Sequence, residues 1–169
     1  MNLSIHESIH FVSSLVIGFL LYLFLFPHSI IISLFASLAG GFLIDMDHLF
    51  DYFMAFGFRL KLSYFFKGYQ FSKSDRLYIP LHSYELTGIC ITLFAATFQY
   101  THYYYIASIG LTISISMLTH LILDVFLNRI PFKTYSLVYR MTHGFMLKYL
   151  VSRKHYEEHL RKKRLFKCC

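Results

Sequence analysis

Charge is what this sequence has least of. Only 15% of its 169 residues are charged, and no lysine or arginine occurs before Arg59. With 56% hydrophobic residues and a mean hydropathy of +0.51, the composition excludes an ordinary water-soluble domain of this size. The N-terminal stretch lacks a basic n-region and a small-residue cleavage site, so the apolar run from Phe11 is expected to be a retained helix and not a removed signal. Cysteine is limited to three positions. Cys90 lies inside an apolar run, and Cys168 and Cys169 follow a basic cluster, a pattern that argues against a framework of disulfides and leaves the terminal pair expected to be unmodified. G-x-S-x-G elbows, P-loops and C-x-x-C pairs are all missing, so none of those chemistries has a motif to rest on.

What is present is a set of four apolar segments: 11–26, 29–44, 84–100 and 103–127. The breaks at Pro27-His28-Ser29 and Gln99–His102 are short enough to be tight turns between antiparallel helices. The expectation is an all-α integral membrane four-helix bundle made of two antiparallel hairpins, with an interfacial loop and a basic C-terminal helical tail. Three segments fall short of the roughly 20 residues that cross a bilayer, so each is expected to extend by a turn into its polar flanks. Residues 1–130 would form the membrane-embedded domain and residues 131–169 the basic cytoplasmic tail.

Lysine and arginine set the orientation. Arg59, Lys61, Lys67, Lys73 and Arg76 fall between segments two and three, all others follow segment four, and none lies in either tight turn. By the positive-inside rule both termini and the central loop face the cytoplasm. The central loop interleaves aromatic residues with lysine and arginine, and the tail carries "RKKRLFKCC". Both suit contact with anionic lipids of the bilayer, and a nucleic-acid partner is not expected. His28 and His102 in the turns, and His155 and His159 in the tail, read as ordinary surface groups; the stripe Thr112, Ser114 and Ser116 reads as helix-packing hydrogen bonding.

With that topology the ionisable residues of the apolar segments fall at one membrane depth. His6 and His10 precede segment one, and Asp45, Asp47, His48 and Asp51 end segment two. His82 and Glu85 open segment three, and His120 and Asp124 close segment four. His120 and Asp124 in "HLILD" are four apart and share a helix face, so they can grip one ion. Asp45 and His48 are three apart, while Asp47 lies nearly opposite Asp45 unless the helix has unwound. His82 and Glu85 are again three apart, supplying a ligand and a carboxylate able to act as base. Taken singly, each group reads as a partner in an interhelical ion pair. Together, with no lysine or arginine in the segments to balance the acids, they need protons or a cation. Mixed imidazole and carboxylate donors suit zinc foremost, or manganese or iron.

The order of these motifs resembles the YdjM-type family of inner-membrane proteins, described as metal-dependent hydrolases and also as LexA-binding. The likeness covers about the first 130 residues: an N-terminal histidine, "GGFLIDMDH", a histidine opening segment three, and "HLILD". Ile44 stands where that family has proline before D-x-D-H, while Asp45, Asp47 and His48 match. The family's third motif ends in T-H-S after an upstream histidine; only His82 and Ser83 match it here. The D…H…HxxxD order is also loosely similar to zinc-dependent phospholipase C proteins, an analogy toward phosphoester hydrolysis.

The reading that follows is a membrane-bound metal-dependent hydrolase acting on a phosphoester or lipid-linked substrate at the cytoplasmic interface. Asp45, Asp47, His48, His82, His120 and Asp124 are its expected metal ligands, with Asp47 alternatively supporting the ligands from behind. Glu85 or Asp47 would be the general base, and His10 would orient substrate. A membrane adaptor without metal, and a small ion or proton transporter, are the alternatives.

Overall fold

The computed structural model describes residues 3–25, 29–100 and 103–167. In chain order it contains α1 (Leu3–Leu25), α2 (Ile30–Gly41), a 3-10 turn (Leu43–Asp47), α3 (His48–Phe56), α4 (Leu62–Phe66), α5 (Tyr69–Ser74), α6 (Tyr84–Thr97) and α7 (Tyr104–Asn128). A second 3-10 turn (Phe132–Tyr135) leads into α8 (Leu137–Thr142), α9 (Leu147–Leu150) and α10 (Arg153–Lys167). Helix is the only regular secondary structure among the described residues, apart from an isolated antiparallel bridge between Arg76 and Met146. The turn residues Pro27, His28 and His102 and the terminal Cys168 and Cys169 lie outside the described residues.

The chain forms two compact units: Met1–Asp45 with Leu81–Arg129, and Met46–Pro80 with Ile130–Cys169. The residues read from sequence as a basic tail thus share a unit with the central loop.

In the first unit α1 packs on α2 and α7, α2 on α7, and α6 on α7. The pairing is antiparallel: Ser33 Oγ donates to the Gly18 carbonyl at 2.7 Å and Ser37 Oγ to the Ser14 carbonyl at 2.5 Å, so position falls along α1 as it rises along α2. On α6 and α7, Phe98 meets Tyr104 at 4.5 Å between ring centroids, and Phe94 packs against Gly110. Small residues let the backbones approach. A Cβ on Gly40 would lie 2.1 Å from the carbonyl oxygen of Ile113 on α7.

The polarity of this unit is reversed relative to a water-soluble core. Ser14, Ser33, Ser37, Thr87, Thr112, Ser114 and Ser116 are buried, while Phe11, Val12, Val16, Phe19, Leu23, Phe35, Ile89, Ile106 and Phe126 face outward. Ser37 Oγ and Ser116 Oγ hydrogen-bond across the α2–α7 contact at 2.8 Å, which gives the expected stripe on segment four its packing role.

Two helices are long and apolar enough to cross a membrane, Ile5–Phe24 and Tyr104–Asn128, or three if Ile30–Gly41 and Leu43–Phe56 are counted as one broken span. Segment one does extend into its polar flank, through His10 and His6. Segments two and three do not: α2 has 12 residues and α6 has 14. At about 1.5 Å per residue each is some 10 Å short of a ~30 Å hydrocarbon core. Beyond Gly41 the helix gives way to the 3-10 turn, and Ser83 caps α6 by accepting from the Leu86 amide, which fixes its start.

The second unit is organised around the non-helical stretch 75–80. The Asp51 carboxylate accepts from the amides of Tyr78 and Ile79, at 2.7 and 3.0 Å. From the other side, the fully buried Arg140 guanidinium donates to the carbonyls of the same two residues. Asp75 ties α10 down through His159, at 2.9 Å, and Lys163. His159 is therefore a partner in an ion-pair cluster and not the bland surface group expected from sequence. Partial burial pushes the Asp75 carboxyl up, but the Lys163 and His159 hydrogen bonds outweigh it and hold the group below its ordinary range. The stabilisation is thus complete above the ordinary aspartate value of about 3.9 and is lost as pH falls through the lower folded value.

Two outcomes follow from this packing. Gly40→Ala should destabilise the protein by about 1–3 kcal/mol through overpacking, seen as a lower Tm by circular dichroism in detergent. Gly88→Ala, where an added Cβ meets nothing within 4 Å, should not lower it; equal melting of the two variants would contradict the close α2–α7 approach. Asp75→Asn should release α10 and raise its rate of tryptic cleavage at Arg161, Lys162 and Arg164 at neutral pH. An unchanged rate would mean that the Asp75 contacts do not hold this helix.

Candidate metal centre

The ionisable residues of the first unit converge from all four of its helices or their ends. Asp124 on α7 is the hub, 4% exposed. Its Oδ2 lies 3.5 Å from His120 Nε2, one turn back on the same helix, and 3.9 Å from His82 Nε2. Asp45, in the 3-10 turn after α2, brings Oδ1 to 3.3 Å from His82 Nε2 and 3.5 Å from His120 Nε2. The two imidazole nitrogens are themselves 3.2 Å apart. A tetrahedral ion with bonds near 2.05 Å separates its ligands by roughly 3.3 Å, so these donors stand at the spacing of a mixed carboxylate–imidazole site.

The tautomer of His120 is set by its other nitrogen. Nδ1 lies 2.8 Å from the carbonyl oxygen of Gly41, which can only accept, so Nδ1 carries the proton. In neutral imidazole that leaves Nε2 as a lone pair aimed at two carboxylate oxygens and a second imidazole. Only an additional proton or a cation makes such an arrangement attractive. A backbone carbonyl behind a histidine is also the usual way in which a metal ligand is oriented.

His82 is buried, and it precedes the Ser83 cap of α6. It reaches the site from a turn and not, as the three-residue spacing suggested, from a helix face shared with Glu85. Glu85 occupies the first turn of α6, where the helix dipole favours its charge, and accepts from Ser83 Oγ at 3.0 Å. His10 is fully buried, and its ring lies 4.0 Å from that of His120 between centroids. His10 Nε2 is 3.2 Å from Asp124 Oδ1, so it belongs among the donors around Asp124.

Asp47 and His48 lie in the second unit. Asp47 is buried at the end of the 3-10 turn; the His48 ring stands edge-on to Phe71, 5.9 Å away. His143 also lies in the second unit, stacked on Tyr139 at 4.0 Å.

The sequence placed His6 at the depth of the cluster without a ligand role and did not single out Asn128. His6 Nε2 lies 3.0 Å from Asp124 Oδ1, and Asn128 Nδ2 lies 3.0 Å from both His6 Nε2 and Asp124 Oδ1. The signal for His6 was available: "HESIH" has the same four-residue spacing as "HLILD". Asn128 is a further turn along α7 from Asp124, on the same face. No protein-family model, curated protein or solved structure matches the chain, so the reading of this centre rests on its donors and their geometry.

Proposed function

We propose that the chain is an integral membrane metal-dependent hydrolase whose centre lies at the cytoplasmic interface. The observation that carries this reading is the donor set of Asp45, His82 and His120, with Asp124 within 3.9 Å of both histidines, assembled where the helices contain no lysine or arginine to balance the acids. Zinc is the ion best suited to two imidazoles and two carboxylates, with manganese or iron as substitutes. A divalent ion held there supplies Lewis acidity, polarising a phosphoryl or carbonyl oxygen and acidifying water.

The chain's own residues do the rest. His120, fixed by Gly41, and His82 present their Nε2 atoms to the ion. Glu85, half-buried at the start of α6, would take the proton from the attacking water. A phosphoester, and within that class a lipid-linked one, is favoured by the resemblance of the motif order to YdjM-type proteins and by the apolar exterior of the first unit, which suits a lipid surrounding. The basic central loop and tail attract anionic lipid to the same face.

Orientation is tested by reporter fusions. Those at Lys73 and after Cys169 should give the same cytoplasmic signal, opposite to a fusion at His28. A periplasmic or luminal signal at Lys73 would remove the assigned topology.

The centre itself is tested by metal analysis of the purified protein. His120→Ala and Asp124→Asn should each strip bound transition metal while the protein stays helical and membrane-inserted, and His155→Ala should leave metal content unchanged. Metal content that does not respond to either α7 variant would identify the cluster as a hydrogen-bond network only. Hydrolysis of a phosphoester substrate in detergent should be lost with chelator and restored by zinc or manganese. Glu85→Gln should lower that rate about 10²–10⁴-fold with metal retained, the range for loss of a general base. Full activity in this variant would remove Glu85 from the mechanism.

A further inference from the structure

We infer that this unit holds two divalent ions, with Asp124 as the carboxylate bridging them. The inference rests on reading the Asp45–His82–His120–Asp124 set as a metal centre, and adds to it a second site made by His6, His10 and Asp124.

The two oxygens of Asp124 face different donor sets. Oδ2 is turned toward His120 and His82, as described above; Oδ1 is turned toward His6, at 3.0 Å, and His10, at 3.2 Å. His6 Nε2 and His10 Nε2 are 3.2 Å apart, which closes a triangle of donor atoms. A triangle of that size has its corners about 1.8 Å from its centre, so an ion about 1 Å off its plane makes three bonds near 2.05 Å, the length of a zinc–imidazole bond. His10 lies beside His120, which places the two sets on adjoining rings around one carboxylate. Two-metal hydrolytic sites hold their ions about 3.5–4 Å apart, a separation that one bridging carboxylate spans.

A hydrogen-bond network is the rival account of this second set, with His10 Nε2 donating to Asp124 Oδ1 and the Asn128 amide reaching both His6 Nε2 and Oδ1. Two imidazole nitrogens and the Asn128 amide all converge on the single oxygen Oδ1. At 3.2 Å the two Nε2 atoms cannot both carry protons directed into the triangle, so at least one of them offers a lone pair to an ion or to the Asn128 amide. A cation within the triangle satisfies all three atoms together. His10 is fully buried, while the His6 side chain retains 14% exposure and that of Asp45 in the first set 23%, so each set has one donor open to exchange.

The test is a Mn(II) titration of the purified full-length protein in detergent, followed by equilibrium metal analysis and electron paramagnetic resonance. The expected result is two equivalents per chain with the spectrum of a spin-coupled pair. In His6→Ala one equivalent should remain, with the spectrum of an isolated ion; His6→Asp, which restores an oxygen donor, should recover the second. If the wild-type protein takes up one equivalent, uncoupled and unaffected by His6→Ala, the second site is refuted while the first stands. If it takes up none, both are refuted. The wild-type stoichiometry and coupling decide the matter even where a variant fails to fold.

Discussion

A buried carboxylate without a basic residue is the constraint around which the first unit is built. Asp124 lies on a helix of 25 residues that carries no lysine or arginine, and it cannot remain ionised there at tolerable cost unless something positive is close. The answer in this chain is a shell of imidazoles drawn from α1, the turn before α6 and α7 itself, completed by the amide of Asn128. Imidazole is the donor that can respond either by protonation or by holding a metal. Lysine in the same place would neutralise the acid permanently and leave no coordination site.

The helix packing follows from that demand. Four elements can bring donors to one carboxylate only if their backbones run close together, and the contacts are accordingly made by glycine and serine. Ser37 bridges α1 and α2 through the Ser14 carbonyl and α2 and α7 through Ser116. Hydroxyls buried in this way are satisfied within the protein, so the apolar side chains are free to cover its exterior. The second unit uses a different logic: the strap 75–80 is held by charged side chains bonded to its backbone, Asp51 on its amides and Arg140 on its carbonyls.

Much of this was legible in the sequence because it is local. Apolar runs located α1, α2, α6 and α7, and the four-residue spacing of His120 and Asp124 correctly put both on one face. What was not legible is set by distance along the chain or by competition at helix ends. The extension of α1 past Phe11 was expected for one turn, but the helix runs back to Leu3, with His6 turned toward Asp124, 118 positions away. His82 was identified for the wrong reason, since the Ser83 cap takes it out of the helix that a periodic pattern implies. The Asp75 cluster joins residues 84 and 88 positions apart, in segments whose composition says only that they are basic and aromatic.

The early end of α2 carries a design consequence. In an uninterrupted helix the Gly41 carbonyl would be engaged by the amide four residues on, and His120 would have no acceptor to set its tautomer. Stopping the helix there leaves that oxygen vacant and turns the chain so that Asp45 can join the donors. A variant selected purely for thermal robustness, with α2 regularised past Gly41 by strong helix formers, would be expected to gain rigidity and lose its coordination chemistry. In this fold the irregular turn gives up helix regularity for the placement of the Gly41 carbonyl and Asp45.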